Sequence, residues 1–471
     1  MNISFVSSEV VPFVKTGGLA DVTGSLPNAL VNLGHDVSVF MPYYATIMDT
    51  ERYKAEIVKI DLFVIVGKKR EGFAVRRYIN TQGVKIYFIE HNRYFNRSYL
   101  YGDKNDAYYD NGERFVFFSQ AVIIAMKFLE IKSDILHNND WQTGLIPLYL
   151  KIYYSKDRLF KDTKKIFTIH NIEYQGIFNK KIMQIANIPW SEFSMHKLEF
   201  FDNINCLKAG IVYSDIITTV SKKYAQEISS NSWISSGLDS VLRLVNLRGI
   251  LNGIDYFIWN PETDHRIIAN YSVNDLNNKK KCQQYFFTST GPVLAIVSRF
   301  VRAKGFDVVR ETLEDILDSD EIINLLVLGT GASEYENFFK YLNMKYGNRV
   351  NINIKFDSKL AHRVYSAADI FLMPSQVEPC GLAQMISFRY GVVPVVNPVG
   401  GLFDTVKDYA LGGNGFLMRD YSSMEFFLAV KKALKLYNNK KAWLELVKKN
   451  MRQDFSWKSS AKEYLDLYLN V

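Results

Sequence analysis

Short apolar runs, rich in β-branched and aromatic residues, alternate along this chain with segments in which apolar residues recur at helical spacing. Six such runs in the first half predict strands, at residues 3–6, 37–41, 86–89, 135–137, 166–169 and 216–220. Between the first two, apolar residues from Leu19 to Leu33 predict a helix, which Pro27 is expected to kink or split. This alternation favours a parallel, doubly wound sheet.

A second series of the same kind follows residues 250–255. Its predicted strands are residues 293–297, 325–328, 350–354, 370–373 and 393–396. Residues 261–278 are polar and lack a clear period, as connectors do, and residues 422–470 have a helical pattern. The chain is therefore predicted to be an α/β protein of two similar-sized domains, with a hinge near residues 245–260.

Composition narrows the class of protein. The 471 residues are 48% hydrophobic and 23% charged, as in an ordinary globular chain, and carry a formal net charge of +8. Because Lys and Arg are scattered rather than clustered, we expect anionic small molecules as partners and no nucleic acid. Three widely spaced cysteines indicate neither a disulfide framework nor a metal site. Without a signal peptide or a membrane-spanning run, the expected location is the cytoplasm, with no membrane partner.

Ligands of open α/β sheets bind beyond the carboxyl ends of the strands, so residues that follow strands are the candidates for chemistry. After the first strand, Lys15 stands beside the adjacent glycines Gly17 and Gly18 at the start of a predicted helix. Backbone N–H groups and a helix start favour anions, which makes this loop either a phosphate site or a plain turn.

Two polar clusters follow neighbouring strands of the first half. His170 and Asn171 come after residues 166–169, and Asp140 and Trp141 come shortly after residues 135–137. A lone His at a strand end is usually structural, but a carboxylate and an aromatic ring beside it are typical of sugar sites. The spacing of the histidines matches no metal motif.

Cations follow the first strand of the second half. Arg299 and Lys304 lie five residues apart, where they could neutralise a diphosphate or simply be solvated at the surface. Phe356 follows residues 350–354 and could stack on a nucleotide base or pack in the core.

The strongest local signal is Glu378, in a loop bounded by proline and glycine directly after residues 370–373. The amides of Cys380, Gly381 and Leu382 could bind a sugar hydroxyl or a phosphate. Cys380 could be a nucleophile, but no motif for an activating base accompanies it, so packing is the favoured role of its side chain.

These segments, together with residues 251–255 and 400–406, closely resemble bacterial glycogen synthases and plant starch synthases, in order and at family spacing from residue 1 to about 460. The resemblance implies a GT-B fold, with two Rossmann-like domains facing across a cleft. Residues 1–250 would form the acceptor-side domain, residues 251–455 the donor-side domain, and residues 456–471 a helix returning to the first. It also implies retaining α-1,4-glucosyl transfer from ADP-glucose, as co-substrate, to the non-reducing end of a glucan, without a cofactor or metal.

The resemblance assigns roles by position. Arg299 and Lys304 would neutralise the departing ADP, and Glu378 would hold the glucose. His170 would offer its backbone carbonyl and ring near the glucose 6-hydroxyl and so stabilise positive charge at the reacting carbon. The acceptor side would include Asp140, Trp141 and Asn171. The donor-binding residues would be Lys15, Gly17, Gly18, Asp21, Asn252, Phe356, Cys380, Gly381 and Leu382.

The chain departs from the family pattern where an Arg and a Thr are usual, since it has Asn397 and Val399 there. These changes remove a cation and a hydroxyl next to the expected diphosphate. Two alternatives therefore stay open: a related transferase that uses UDP-glucose or resembles sucrose synthase, and a glucan-binding homologue with weakened catalysis.

Overall fold

Buried strands form the centre of both halves of the chain in a computed structural model, which describes residues 1–103 and 106–471. The first unit contains Met1–Val220, Ala225–Ile250 and Trp457–Val471; the second contains Ser221–Tyr224 and Leu251–Ser456. The four residues Ser221–Tyr224, which lie inside the range predicted for the first domain, therefore pack with the second.

The first unit is built on a nine-stranded sheet and a small three-stranded sheet. Its strands are β1 (Asn2–Val6), β2 (Asp36–Pro42), β3 (Glu56–Val66), β4 (Lys69–Ile79), β5 (Lys85–Glu90), β6 (Ile135–Asn139), β7 (Lys164–Ile169), β8 (Ile177–Asn179), β9 (Glu199–Phe200), β10 (Asn203–Asn205), β11 (Ile216–Thr219) and β12 (Leu247–Gly249). The large sheet has the order β12-β11-β7-β6-β1-β2-β5-β4-β3, and the small one has the order β8-β10-β9.

Helices connect these strands. They are α1 (Gly18–Val31), α2 (Asn92–Phe95), α3 (Asn111–Phe128), α4 (Leu145–Tyr153), α5 (Ile182–Ile185), α6 (Cys206–Tyr213), α7 (Lys222–Ser230) and α8 (Asp239–Leu242). The helix α1 continues through Pro27, so it is not split there. In the turn where Pro27 lacks an N–H donor, the Asn28 side-chain amide donates to the Gly24 carbonyl at 2.8 Å.

The large sheet is parallel from β12 to β5, as predicted, but β3 and β4 pair antiparallel at its edge. This hairpin was missed because apolar and charged residues are mixed on its outer strand. Ile57, Ile60 and Phe63 are exposed there, interspersed with Lys59 and Asp61.

The second unit contains one six-stranded sheet, parallel throughout, in the order β15-β14-β13-β16-β17-β18. The strands are β13 (Val293–Val297), β14 (Asn324–Gly329), β15 (Val350–Ile354), β16 (Ile370–Met373), β17 (Val393–Val396) and β18 (Phe416–Leu417). The helices are α9 (Lys279–Gln284), α10 (Phe306–Asp318), α11 (Ser333–Tyr346), α12 (Ser358–Ala367), α13 (Ala383–Arg389), α14 (Gly400–Thr405), α15 (Ser423–Asn438) and α16 (Lys440–Met451).

The last helix, α17 (Trp457–Leu469), belongs to the first unit. Its buried face joins the core of that unit through Trp457, Ala461, Tyr464 and Tyr468. The Tyr468 hydroxyl also lies 2.6 Å from His137 Nδ1 on β6. The chain thus returns to its first unit, as the family resemblance implied.

Candidate active site

The Lys15 loop follows β1 and leads into α1. Lys15 Nζ lies 2.7 Å from the Asp21 carboxylate, and burial raises the pKa of Asp21 although the charge of Lys15 partly offsets that effect. Within the described residues, no heavy atom lies within 4 Å of the position that a Cβ would take at Gly17 or Gly18. Lys15 and Asp21 are therefore paired with each other, beside an open glycine face.

A buried carboxylate that the sequence analysis missed lies beneath this loop. Glu9 accepts hydrogen bonds from the Thr16 N–H at 2.5 Å, the Thr16 hydroxyl at 2.6 Å and the Gly17 N–H at 3.2 Å. A fourth comes from the Tyr101 hydroxyl at 2.7 Å. The Gly17 amide, predicted to contact the donor, thus already has a carboxylate partner within the protein. An acid shortly after a buried strand is the same signal that singled out Glu378.

His170, at the carboxyl end of β7, is held from two sides. Its backbone N–H donates to Asp140 Oδ1 at 2.7 Å, and its ring Nε2 lies 2.9 Å from Asn139 Oδ1. The Asn139 amide nitrogen donates to the Val6 carbonyl, which leaves Oδ1 as the acceptor and assigns the ring proton to Nε2. Burial lowers the pKa of His170 to about 3, so the ring is neutral near pH 7. Nδ1 is then a buried acceptor, without a partner among the described residues.

The acceptor-side candidates lie next to His170, but two of them are engaged internally. Burial raises the pKa of Asp140 to about 7, and this carboxyl accepts the His170 amide. The Trp141 ring packs against Phe115 and Phe178, with centroids at 5.0 and 5.5 Å. Asn171 is half-buried and accepts the Glu173 N–H at 3.1 Å. The structure therefore gives Asp140 and Trp141 supporting contacts that the sequence did not indicate.

In the second unit, two predicted residues form one ion pair. Lys304 Nζ lies 2.6 Å from Glu378 Oε2, and the Ser375 hydroxyl donates to the same oxygen at 3.1 Å. Gly305 has a φ of +79°, and a Cβ there would lie 2.0 Å from the Pro374 carbonyl oxygen. Only glycine lets the Lys304 turn approach the loop after β16 this closely. The pair is thus fixed by backbone packing.

Arg299 and Phe356 are both presented to solvent. Arg299 follows β13 and has no salt-bridge partner among residues 1–103 and 106–471, in contrast to Lys304. Phe356 follows β15 with 85% of its surface exposed, so it is not a core residue. A guanidinium and an aromatic ring in these states are free to meet a ligand.

The loop that follows Glu378 is rigidly packed. Burial raises the pKa of Cys380 to about 12, so its side chain is a thiol and not an activated nucleophile. The Asn252 N–H bonds to that sulfur, while the buried Asn252 Oδ1 has no partner in the described part of the chain. Gly381 has a φ of +71° and packs against the Gln384 side chain. The next residue, Leu382, is the N-cap of α13.

Both departures from the family pattern have structural roles here. The Asn397 amide donates to the Ser375 carbonyl at 2.8 Å and so supports the loop that carries Glu378. Val399 packs against a buried apolar cluster that contains Phe388, Val396 and Leu402.

No group of three or more His, Cys, Asp or Glu side chains within the described residues is arranged to hold a metal ion. Among the same residues, no helix is long and apolar enough to span a membrane.

Two family models match the chain. Residues 2–244 match the starch synthase catalytic domain, and residues 277–450 match glycosyl transferases group 1.

Curated relatives match over nearly the whole length. A glycogen synthase of Clostridium botulinum is 42% identical over 99% of both chains. One from Thermotoga maritima is also 42% identical, over 99% of this chain and 98% of its own.

Solved structures agree with this match. The catalytic domain of starch synthase IV from Arabidopsis thaliana, bound to ADP and acarbose, is 30% identical with a TM-score of 0.91, over 99% of this chain and 98% of that one. A sucrose-phosphate synthase from Thermosynechococcus elongatus, 17% identical, shares the fold with a TM-score of 0.64, over 100% of this chain and 98% of its own.

Proposed function

We propose that this enzyme, a member of the glycogen synthase and starch synthase family, transfers glucose from ADP-glucose to the non-reducing end of an α-1,4-glucan with retention of configuration. The starch synthase IV structure was solved with ADP and acarbose, which supports an ADP-linked donor and a glucan acceptor.

The observation that carries the proposal is the arrangement after β13 and β16. The exposed guanidinium of Arg299, which has no salt-bridge partner among the described residues, lies five residues from Lys304 in the sequence. The Lys304 ammonium is held by Glu378. When the donor is cleaved, negative charge develops on the diphosphate, and cations already in place stabilise it without reorganisation. Arg299 and Lys304 therefore take the diphosphate side, and Phe356 offers its exposed ring to the adenine.

We assign binding of the glucose part of the donor to Glu378 and His170. The carboxylate of Glu378 is already bound to Lys304 and Ser375, so we assign it to holding sugar hydroxyls and not to attack at C1. The neutral ring of His170 offers Nδ1 as a hydrogen-bond acceptor, which suits a sugar hydroxyl such as the 6-OH. The Lys15 ammonium is a further positive charge that we assign to contact with the donor.

The reaction follows from these roles. The bond between glucose C1 and the diphosphate oxygen breaks, and a bond forms from C1 to the acceptor O4 on the same face. The acceptor hydroxyl proton passes to the departing diphosphate oxygen, so the atoms balance without a protein nucleophile. Arg299 and Lys304 hold the charge of the leaving ADP during this step.

Radiolabelled glucose incorporation into glycogen tests the proposal, with ADP-glucose and UDP-glucose supplied in separate reactions. We expect transfer from ADP-glucose, α-1,4 linkages by proton NMR, and a loss of at least about 100-fold in Glu378→Gln. The control, Lys345→Ala, removes an exposed lysine paired with Glu314 and should retain full activity.

Three outcomes would contradict the proposal in different ways. Transfer from UDP-glucose alone would replace the donor. Inverted linkages would overturn the stereochemistry. Glucan binding without transfer from either donor would replace the enzyme with a binding protein.

A further inference from the structure

The carboxylate of Glu9 is the most heavily hydrogen-bonded group around the Lys15 loop. Only 3% of the residue is exposed. A buried carboxylate is costly unless donors satisfy its oxygens, and here three donors come from Thr16 and Gly17 and one from Tyr101. Glu9 thus occupies the inner side of the loop that an external anion would otherwise meet.

The backbone of Glu9 is anchored as firmly as its side chain. The Ser7 hydroxyl and the Thr23 hydroxyl both donate to the Glu9 carbonyl, at 2.7 and 2.5 Å. Ser7 directly follows β1 and Thr23 lies on α1, so Glu9 is bound to both elements that flank the loop.

The loop itself has little other support. Gly17 and Gly18 carry no side chains, and within the described residues nothing packs within 4 Å of their Cβ positions. Lys15 has 42% of its side chain exposed, and its ion pair is with Asp21, a residue further along the same segment. Glycine-rich backbone is conformationally free unless hydrogen bonds hold it, and the bonds to Glu9 do so here.

We propose that Glu9 is a positioning residue, which holds the Thr16–Gly17 backbone so that Lys15 and the open face of Gly18 are presented to the donor. This inference rests on the function proposed above. Glu9 itself touches no substrate; its hydrogen bonds decide where the Lys15 ammonium stands. The Tyr101 hydroxyl, which also lies 2.7 Å from the Ser8 hydroxyl, closes the same site from a second segment.

A double-mutant cycle tests this role. Glu9→Gln keeps the size of the side chain but weakens acceptance from two backbone N–H groups, so we expect the KM for ADP-glucose to rise about tenfold. The KM for glycogen should stay unchanged. If Glu9 acts through Lys15, Glu9→Gln should raise the KM by less than about twofold in the Lys15→Ala background, because coupled residues are non-additive.

The control is Glu192→Gln, which replaces another buried carboxylate that accepts a tyrosine hydroxyl, from Tyr213. It should leave both KM values unchanged. Equal effects of Glu9→Gln in the two backgrounds, or an unchanged donor KM, would overturn the positioning role.

Amide hydrogen exchange gives a readout that does not depend on turnover. In Glu9→Gln, the Thr16 and Gly17 amides should exchange at least about tenfold faster, while the amides of β1 keep their protection. Unchanged exchange at Thr16 and Gly17 would refute the proposal even in an inactive protein. If the parent chain transfers no glucose from ADP-glucose while exchange rises as expected, the proposed function fails and the loop-holding role of Glu9 stands.

Discussion

In each unit, a lysine that follows the first strand pairs with a carboxylate, and the two pairs differ in exposure to water. Lys15 and Asp21 lie 2.7 Å apart with 42% and 24% of their side chains exposed, whereas Lys304 and Glu378 lie 2.6 Å apart with 22% and 7% exposed. An exposed pair contributes about 0–1 kcal/mol, so Lys15 can leave Asp21 for a ligand at little cost. A buried pair is strongly destabilised when one partner is removed. Lys304 is therefore a fixed charge and Lys15 an exchangeable one.

Breaking the buried pair should have the largest effect. Lys304→Ala leaves Glu378 buried without its cation, so the free energy of unfolding should fall by about 3 kcal/mol and the transfer rate by about 10²- to 10³-fold. Urea unfolding and initial rates measure the two effects.

The control for this change is Lys197→Ala, which removes a lysine 3.0 Å from Glu192 in the first unit and should keep the transfer rate. A stable Lys304→Ala variant with normal turnover would show that the two pairs are equivalent.

Asp140 is a buried carboxyl whose hydrogen bonds come from the backbone of His170 and Asn171 and not from a lysine. Its pKa is raised by burial from 3.8 to about 7, so it stabilises the fold below about pH 4, and this stabilisation is lost as the pH rises to about 7. Asp140→Asn should therefore match the parent at pH 4 and be more stable at pH 8, by on the order of 3 kcal/mol.

The difference between the two unfolding curves is the quantity to measure. Burial lowers the pKa of His137 and His170 to about 3, so both the parent and Asp140→Asn lose stability on acidification. Because both proteins contain these histidines, that loss cancels when one unfolding curve is subtracted from the other. Parallel curves for parent and variant would contradict the raised pKa.

Arg299 is a charged residue that we expect to matter for ligand binding and not for stability. Because it is exposed and unpaired in the described chain, Arg299→Ala should change the free energy of unfolding by less than about 0.5 kcal/mol. It should lower kcat/KM for the donor by about 100-fold. Arg302→Ala, which removes an exposed arginine three residues later, is the matched control for both measurements. Equal losses in the two variants would make Arg299 an ordinary surface charge.

The smallest effect is expected at the exposed pair. Asp21→Asn should shift the free energy of unfolding by less than about 1 kcal/mol, and 0.5 M salt should remove most of that shift. A loss as large as that of Lys304→Ala would mean that the first pair is also a fixed structural element.

Most of the framework could be predicted from local pattern. The strands β13, β16 and β17 have the predicted bounds, because four or five consecutive apolar residues between turns are typical of buried parallel strands. The edge strand β15 also has the predicted bounds, from apolar residues that alternate with Asn351 and Asn353. The edge hairpin of β3 and β4 could not be predicted this way, since an edge strand is half exposed and its apolar periodicity is interrupted by charges.

The candidate site was predictable as a set of residue types and not as a set of contacts. Glu378, Lys304, Arg299 and His170 stand out because polar residues after apolar strands need a reason other than packing. Their partners do not stand out, since Lys304 and Glu378 are 74 residues apart and Asn139 and His170 are 31 apart.

By itself, the sequence determined most of the buried parallel strands, which family the chain belongs to, and which charged residues follow the strands. Those properties are local, or are read from ordered motifs. Only the tertiary structure decided which charges are paired, which are exposed, and that Glu9 fills the inner side of the Lys15 loop. Pairing and burial depend on distances between residues far apart in the chain, and these distances are set when the sheets and helices pack.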